Sequence, residues 1–209
     1  MNREYESIDY AIEVIATILL ALATVASAWC AYQSTRWSGV QANALSESNL
    51  INTQSVTEFT RADQLATIDV GMFVQYIAAT AQKDKKLADF IAQRFRPEMN
   101  KAFKAWLATN PMNNPKAPSS PFIMPEYKSK ARDYAQSLVE KARRTFDYAK
   151  NANQQADEYV LLTVLFTSVL FFSGLSTTVK KRHLRWTLLI IGAIVFVFGI
   201  IVLSSYPIE

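Results

Sequence analysis

A chain of 209 residues, 50% of them apolar, is too polar to lie wholly in a membrane, and it carries its apolar residues in blocks too long for a soluble domain. The single cysteine, Cys30, excludes an intrachain disulfide and a thiol metal cluster, and the single histidine, His183, excludes a His-rich metal site. The net charge of +4 is modest, and the 17 Lys/Arg and 13 Asp/Glu of residues 33–158 are scattered, without the basic stripe that nucleic acid requires.

Residues 1–10 read as an N-terminal tail holding Arg3, Glu4, Glu6 and Asp9, and residues 11–32 as a first transmembrane helix. Its centre, residues 14–31, is an uncharged run of 18 residues. That is close to the roughly 20 residues that cross a hydrocarbon core of about 30 Å. Ala26-Ser27-Ala28 has the form of a signal-peptide cleavage site, but the acidic flank and the length of the run favour an uncleaved anchor. Thr17, Ala21, Thr24, Ala28 and Ala31 recur at alternating steps of four and three, and Thr35, Ser38 and Ala42 continue the rhythm. Small side chains at that spacing make a helix-packing seam, because they let backbones approach closely. Packing against the chain's own second or third span is the plain reading, and self-association is the alternative. Glu13, at the edge of the span, reads as interfacial, with an ion or proton site as its alternative. Cys30 reads as plain packing.

Residues 33–158 are expected to form an extramembrane helical domain. No proline precedes Pro97, so the first helix should run on beyond the membrane. Residues 46–60 are mostly polar, after which Leu65, Ile68, Val70, Phe73, Tyr76 and Ile77 restore an apolar face. A break is expected over residues 82–86, where Lys83-Asp84-Lys85-Lys86 suits a solvated turn. Two short helices follow, over 87–95 and 97–108, the second with Pro97 at its first position and Met99, Phe103, Trp106 and Leu107 on its apolar face. Five prolines crowd residues 110–125, which reads as the turn of a helical hairpin. From Tyr127 to Leu170 small and aromatic residues repeat at steps of three and four: Tyr127, Ala131, Tyr134, Leu138, Ala142, Thr145, Ala149, Ala152, Ala156, Tyr159, Thr163, Phe166 and Leu170. The phase does not change at Tyr159, which predicts one coiled-coil-like helix of about 45 residues running from the domain into the second span.

Residues 159–179 and 186–206 are the second and third spans, both free of charged side chains. The loop between them, 180–185, holds Lys180, Lys181, Arg182 and Arg185. Short basic loops stay cytoplasmic, so these four are the membrane-orienting residues. They predict a multi-pass protein of the cell's inner membrane with the N-terminus inside, and with residues 33–158 and the tail 207–209 outside. His183, among these cations, is expected to meet lipid headgroups. Trp29, Tyr32, Trp37 and Tyr159 read as an outer aromatic belt, with Tyr10 and Trp186 as inner counterparts.

The fold class is therefore all-α: three transmembrane helices with long helices continuing into a helical bundle. No phosphate loop, nucleophile elbow or zinc-protease helix motif occurs, and neither a cofactor nor a metal site is expected. An acid-base pair among carboxylates such as Glu58 and Asp69 is the enzyme alternative. The composition points instead to a non-catalytic interaction, scaffold or accessory protein whose partners are the lipid bilayer and a second copy or another membrane protein, with no nucleic acid. Two alternatives stay open. One is a sensor binding a ligand between helices; the other is an oligomeric channel or transporter subunit lined by Glu13, Thr17, Thr24 and Thr163.

Three runs are irregular enough to carry a resemblance: Arg94-Phe95-Arg96-Pro97-Glu98, then residues 103–109 around Trp106-Leu107-Ala108-Thr109, then residues 115–127 ending Met124-Pro125-Glu126-Tyr127. With Trp29 to Gln41 and Tyr159 to Phe166, they make the chain similar, over nearly its whole length, to a family of small prokaryotic integral membrane proteins of unknown function. The resemblance implies no active residues.

Overall fold

The computed structural model describes residues 2–209, with side chains from Tyr10 onward, and no strand occurs among the described residues. The side chains of Arg3, Glu4, Glu6 and Asp9 lie outside the described ones. Among the described residues five helices follow one another: α1 (Asn2–Ala81), α2 (Lys85–Ala92), α3 (Pro97–Ala108), α4 (Lys130–Thr178) and α5 (Arg182–Leu203), with one 3-10 turn at Pro121–Ile123. The fold is all-α. The chain divides into two compact units, one made of Met1–Glu47 with Arg144–Glu209 and the other of Ser48–Arg143, so α1 and α4 each contribute to both.

Helix boundaries fall where local chemistry puts them. The absence of proline and the tolerance of single glycines let α1 run 80 residues, and it stops where Lys83 takes a left-handed φ of 60°. Asp84 then caps α2, its carboxylate accepting the Leu87 N–H at 3.0 Å. Pro97 opens α3 at a position whose N–H makes no intrahelical bond, so proline's lack of one costs nothing there, and Asn110, at φ 52°, follows the C-cap residue Thr109. The proline segment is turns and the short 3-10 piece, as five prolines in sixteen residues require.

In the first unit α1, α4 and α5 pack through three small clusters. Ile12, Ala16 and Leu189 meet beside Trp186; Leu19, Ala23 and Val169 meet beside Leu170, Val195 and Phe196; Ala26, Cys30, Tyr159, Leu162 and Phe166 form the third. Two glycines of α5 let it approach closely. A Cβ on Gly192 would stand 3.4 Å from the Ser173 Oγ, and one on Gly199 would stand 2.7 Å from Leu165 Cδ2 and 2.9 Å from Phe166 Cε1. Among the described residues three helices carry windows apolar enough to cross a membrane, and only 22–28% of each window is buried. The remaining apolar surface, including Ile18, Leu22, Val25, Leu161, Val164, Phe171, Ile194 and Ile201, faces outward. A continuous outward apolar surface of this kind belongs in hydrocarbon. The chain is an integral membrane protein.

The α4 stripe from Leu138 to Phe166 is buried at Leu138, Ala142, Ala149, Ala152, Ala156, Tyr159 and Phe166, as its spacing predicts. Beyond those limits the buried positions are Ala135 rather than Tyr134 and Val169 rather than Leu170, and Leu162 is buried where Thr163 is half-buried.

The second unit is built around aromatic rings. Phe73, Phe95, Met99, Phe103 and Trp106 are buried together, with Tyr76, Phe122 and Tyr127 against them. Their contacts are mostly edge-to-face: Tyr76 to Phe103 at 4.7 Å, Phe73 to Trp106 at 5.2 Å and Phe122 to Tyr127 at 5.2 Å between centroids. The Trp106 indole N–H donates to the Pro118 carbonyl at 2.7 Å, which gives the buried ring a polar partner and ties the proline segment to α3. A smaller contact of Ile51 with Leu138 and Ala142 is held by the Ser48 hydroxyl, which donates to the Ala142 carbonyl at 2.8 Å.

Candidate functional site

The densest polar construction in the second unit begins with one residue, Asp69, whose side chain is fully buried on α1 one helical turn before Phe73. A buried carboxylate is costly unless its oxygens are occupied. Arg96 Nε donates to Oδ1 at 3.0 Å and its NH2 to Oδ2 at 2.7 Å, the two-pronged geometry that suits a guanidinium. The Tyr127 hydroxyl donates to Oδ2 at 2.9 Å.

Local sequence delivers both donors. Arg96 precedes Pro97 and is therefore extended (φ −57°, ψ 154°), so its side chain leaves the chain at the sharp entry to α3. Tyr127 ends the proline segment. One carboxylate thus joins α1, the α2–α3 junction and the end of the proline turn. Burial, then the bond to Asp69, pushes the Tyr127 phenol from its usual 10.0 up to about 12. The Asp69 bond also raises Arg96, against the effect of burial. Arg96 NH1 is left over and faces Glu98 Oε2 at 3.9 Å, outside hydrogen-bonding distance. Beside it opens a cleft of about 430 Å³.

Arg96 and Tyr127 lie in two of the irregular runs of the sequence, residues 94–98 and 115–127. Asp69 reads in the sequence only as one carboxylate among many. Of the two candidate acid-base carboxylates, Asp69 is locked in this triad, whereas Glu58 stands in the cleft wall 3.7 Å from Arg61. Among the described residues no three His, Cys, Asp or Glu side chains gather as a metal-ligating group.

In the first unit the expected residues divide. Lys180, Lys181 and His183 are exposed and Arg182 is half-buried. Arg185, the fourth of these cations, is buried. Its Nε donates to the Ser176 carbonyl at 3.1 Å, near the end of α4, and its NH2 lies 3.5 Å from Glu13 Oε1. One cation thus serves a carbonyl in the last turn of α4 and lies beside the Glu13 carboxylate.

Tyr159 is not a belt residue either. It is fully buried, and its hydroxyl donates to the Pro207 carbonyl at 3.0 Å, alongside the Trp37 indole N–H at 3.2 Å. Buried Gln33 completes that contact by accepting the Glu209 N–H at 3.0 Å and donating to the Glu209 carbonyl at 3.4 Å. Trp29 and Tyr32 are exposed, as a belt requires.

Thr17, Ala21, Thr24, Ala28 and Ala31 all lie on the exposed side of α1. The chain's own packing uses Ile12, Ala16, Leu19, Ala23, Ala26, Cys30 and Gln33 instead. The Thr17 and Thr24 hydroxyls donate to the carbonyls of Glu13 and Leu20, both at 2.7 Å, so they face outward without an unmet polar group. No family model, curated protein or solved structure matches this chain.

Proposed function

We propose that the protein is a non-catalytic interaction or scaffold component of the inner membrane, assembling through the small-residue face of α1 with a second copy. The observation that carries this reading is the division of α1 into two faces. One packs inside the unit, and the other presents Thr17, Ala21, Thr24, Ala28 and Ala31 outward with their polar atoms already satisfied. A shallow face of that kind admits another helix backbone at short range, where van der Waals contact and interhelical bonding drive association in lipid. The resemblance to small prokaryotic membrane proteins fits this reading and adds no activity to it.

Ala21→Leu combined with Ala28→Leu should reduce the mass of the detergent-solubilised particle to that of one chain while leaving its melting temperature nearly unchanged, because neither side chain is packed inside the unit. A wild-type particle that is itself one chain, or a variant particle of undiminished mass, would remove the seam from the account. A turnover measured with purified protein, and lost on Glu58→Gln with assembly intact, would overturn the non-catalytic reading.

The accompanying orientation, proposed from the same charges, has Lys180, Lys181, Arg182 and Arg185 on the cytoplasmic side and the Ser48–Arg143 unit outside. Cysteines introduced at Asn113 or Ser119, both in the proline segment, should react with an impermeant thiol reagent on intact cells, and one introduced at His183 should not. The reverse pattern would invert the protein.

A further inference from the structure

We propose that the cleft of the Ser48–Arg143 unit is a binding site for a small zwitterion of the amino-acid class, carrying a carboxylate and an ammonium on one short frame. This goes beyond the scaffold reading and does not rest on it. The cleft measures about 430 Å³, within the range of small-molecule sites, and α1 and the starts of α3 and α4 wall it within a single unit. Its lining includes Arg61, Arg96 and Lys130 against Glu58 and Glu98.

The charges stand close without satisfying one another. Arg61 lies 3.7 Å from Glu58 and Arg96 lies 3.9 Å from Glu98, both too far for a hydrogen bond. Each pair therefore feels Coulomb attraction while keeping donor and acceptor capacity for a third group. Arg96 cannot swing away to find a partner, because Asp69 holds two of its nitrogens. Its remaining edge is preset before any ligand arrives, which lowers the ordering cost of binding. Glu58, Glu98 and Arg96 are only 20%, 23% and 24% exposed, so a ligand charge meeting them is less screened than at an open surface, whereas Arg61, 67% exposed, and Lys130 stand at the solvent edge.

The sign pattern selects the ligand class. A simple anion entering the cleft meets two carboxylates, and a simple cation meets two guanidiniums and an ammonium. A molecule carrying both charges can set its carboxylate against Arg61, Arg96 or Lys130 and its ammonium against Glu58 and Glu98. Tyr134, half exposed, adds an aromatic ring to the wall.

The probes are L-alanine and alanyl-alanine, with propionate and ethylammonium as single-charge controls at matched ionic strength, tested on the full chain in detergent by thermal unfolding and calorimetry. At about 10 mM, ten times a Kd of about 1 mM, one or both zwitterions should raise the melting temperature and the controls should not. Comparing the two probes separates a free amino acid from a peptide as the better ligand. Arg61→Ala and Glu58→Gln, both outside the Asp69 triad, should each weaken binding at least about tenfold, about 1.4 kcal/mol, without lowering the ligand-free melting temperature, whereas exposed Lys101→Ala should change neither. The proposal is overturned if neither zwitterion shifts the transition, if propionate or ethylammonium shifts it equally, or if the shift survives both Arg61→Ala and Glu58→Gln.

Discussion

Asp69→Ala should destabilise the Ser48–Arg143 unit by about 3–5 kcal/mol, because it removes one member of a buried ion pair and strands the other. Arg96 would lose both hydrogen bonds at 3.0 and 2.7 Å, and the Tyr127 hydroxyl its acceptor at 2.9 Å, so three segments would lose a common anchor at once. Asp69→Asn keeps the volume and one acceptor and should cost less. Chemical denaturation followed by near-ultraviolet signals of Trp106, which lies in the same aromatic core, reads the loss directly.

The triad also predicts an alkaline limb of stability. The Tyr127 phenol is raised from 10.0 to about 12 in the folded protein, so the stabilisation it contributes is fully present below pH 10 and disappears as pH rises through about 12. Tyr127→Phe should lower stability at neutral pH and flatten that limb. Equal alkaline slopes for Tyr127→Phe and wild type, or an Asp69→Ala protein as stable as wild type, would show that the triad does not anchor the unit.

The second large effect is expected at Gly199. Gly199→Ala should cost about 1–3 kcal/mol of stability in detergent, since its Cβ would stand 2.7 Å from Leu165 and 2.9 Å from the ring of Phe166. The Leu165 methyl can move aside. The Phe166 ring is fully buried and cannot do so without shifting α4 against α5. Gly39 is the matched control: nothing lies within 4 Å of its Cβ position, and Gly39→Ala should be neutral or gain up to about 1 kcal/mol from better helix propensity. The close approach of α4 and α5 would be disproved by equal melting temperatures for the two variants.

These two sites differ in how far the sequence announces them. The helices themselves are legible because their signals are local: missing prolines predict the length of α1, Pro97 sets the start of α3, and the crowded prolines mark the turn. The buried face of α4 is legible too, since its alanines alternate with charged residues that must stay outside. In the spans that contrast vanishes, because lipid is as apolar as a core, and a stripe of small residues no longer says which way it points. The outward placement of Ala21 and Ala28 and the burial of Ala23 and Ala26 follow from Leu189, Val169 and Phe166 on other helices, to which no spacing rule refers. Asp69 is hidden for a related reason. Its partners stand 27 and 58 residues away, and only the folded chain brings them together.

The bonds at the two ends of α5 have a mechanical consequence. Arg185 fixes its first turn to the end of α4 and to Glu13, while Gln33, Trp37 and Tyr159 grip the residues just past its last turn through the backbone at Pro207 and Glu209. Sliding α5 along its axis by a single residue, about 1.5 Å, would break both sets together. The third span is thus tied at both of its ends to the two helices beside it, and an axial slide would have to break both sets of bonds.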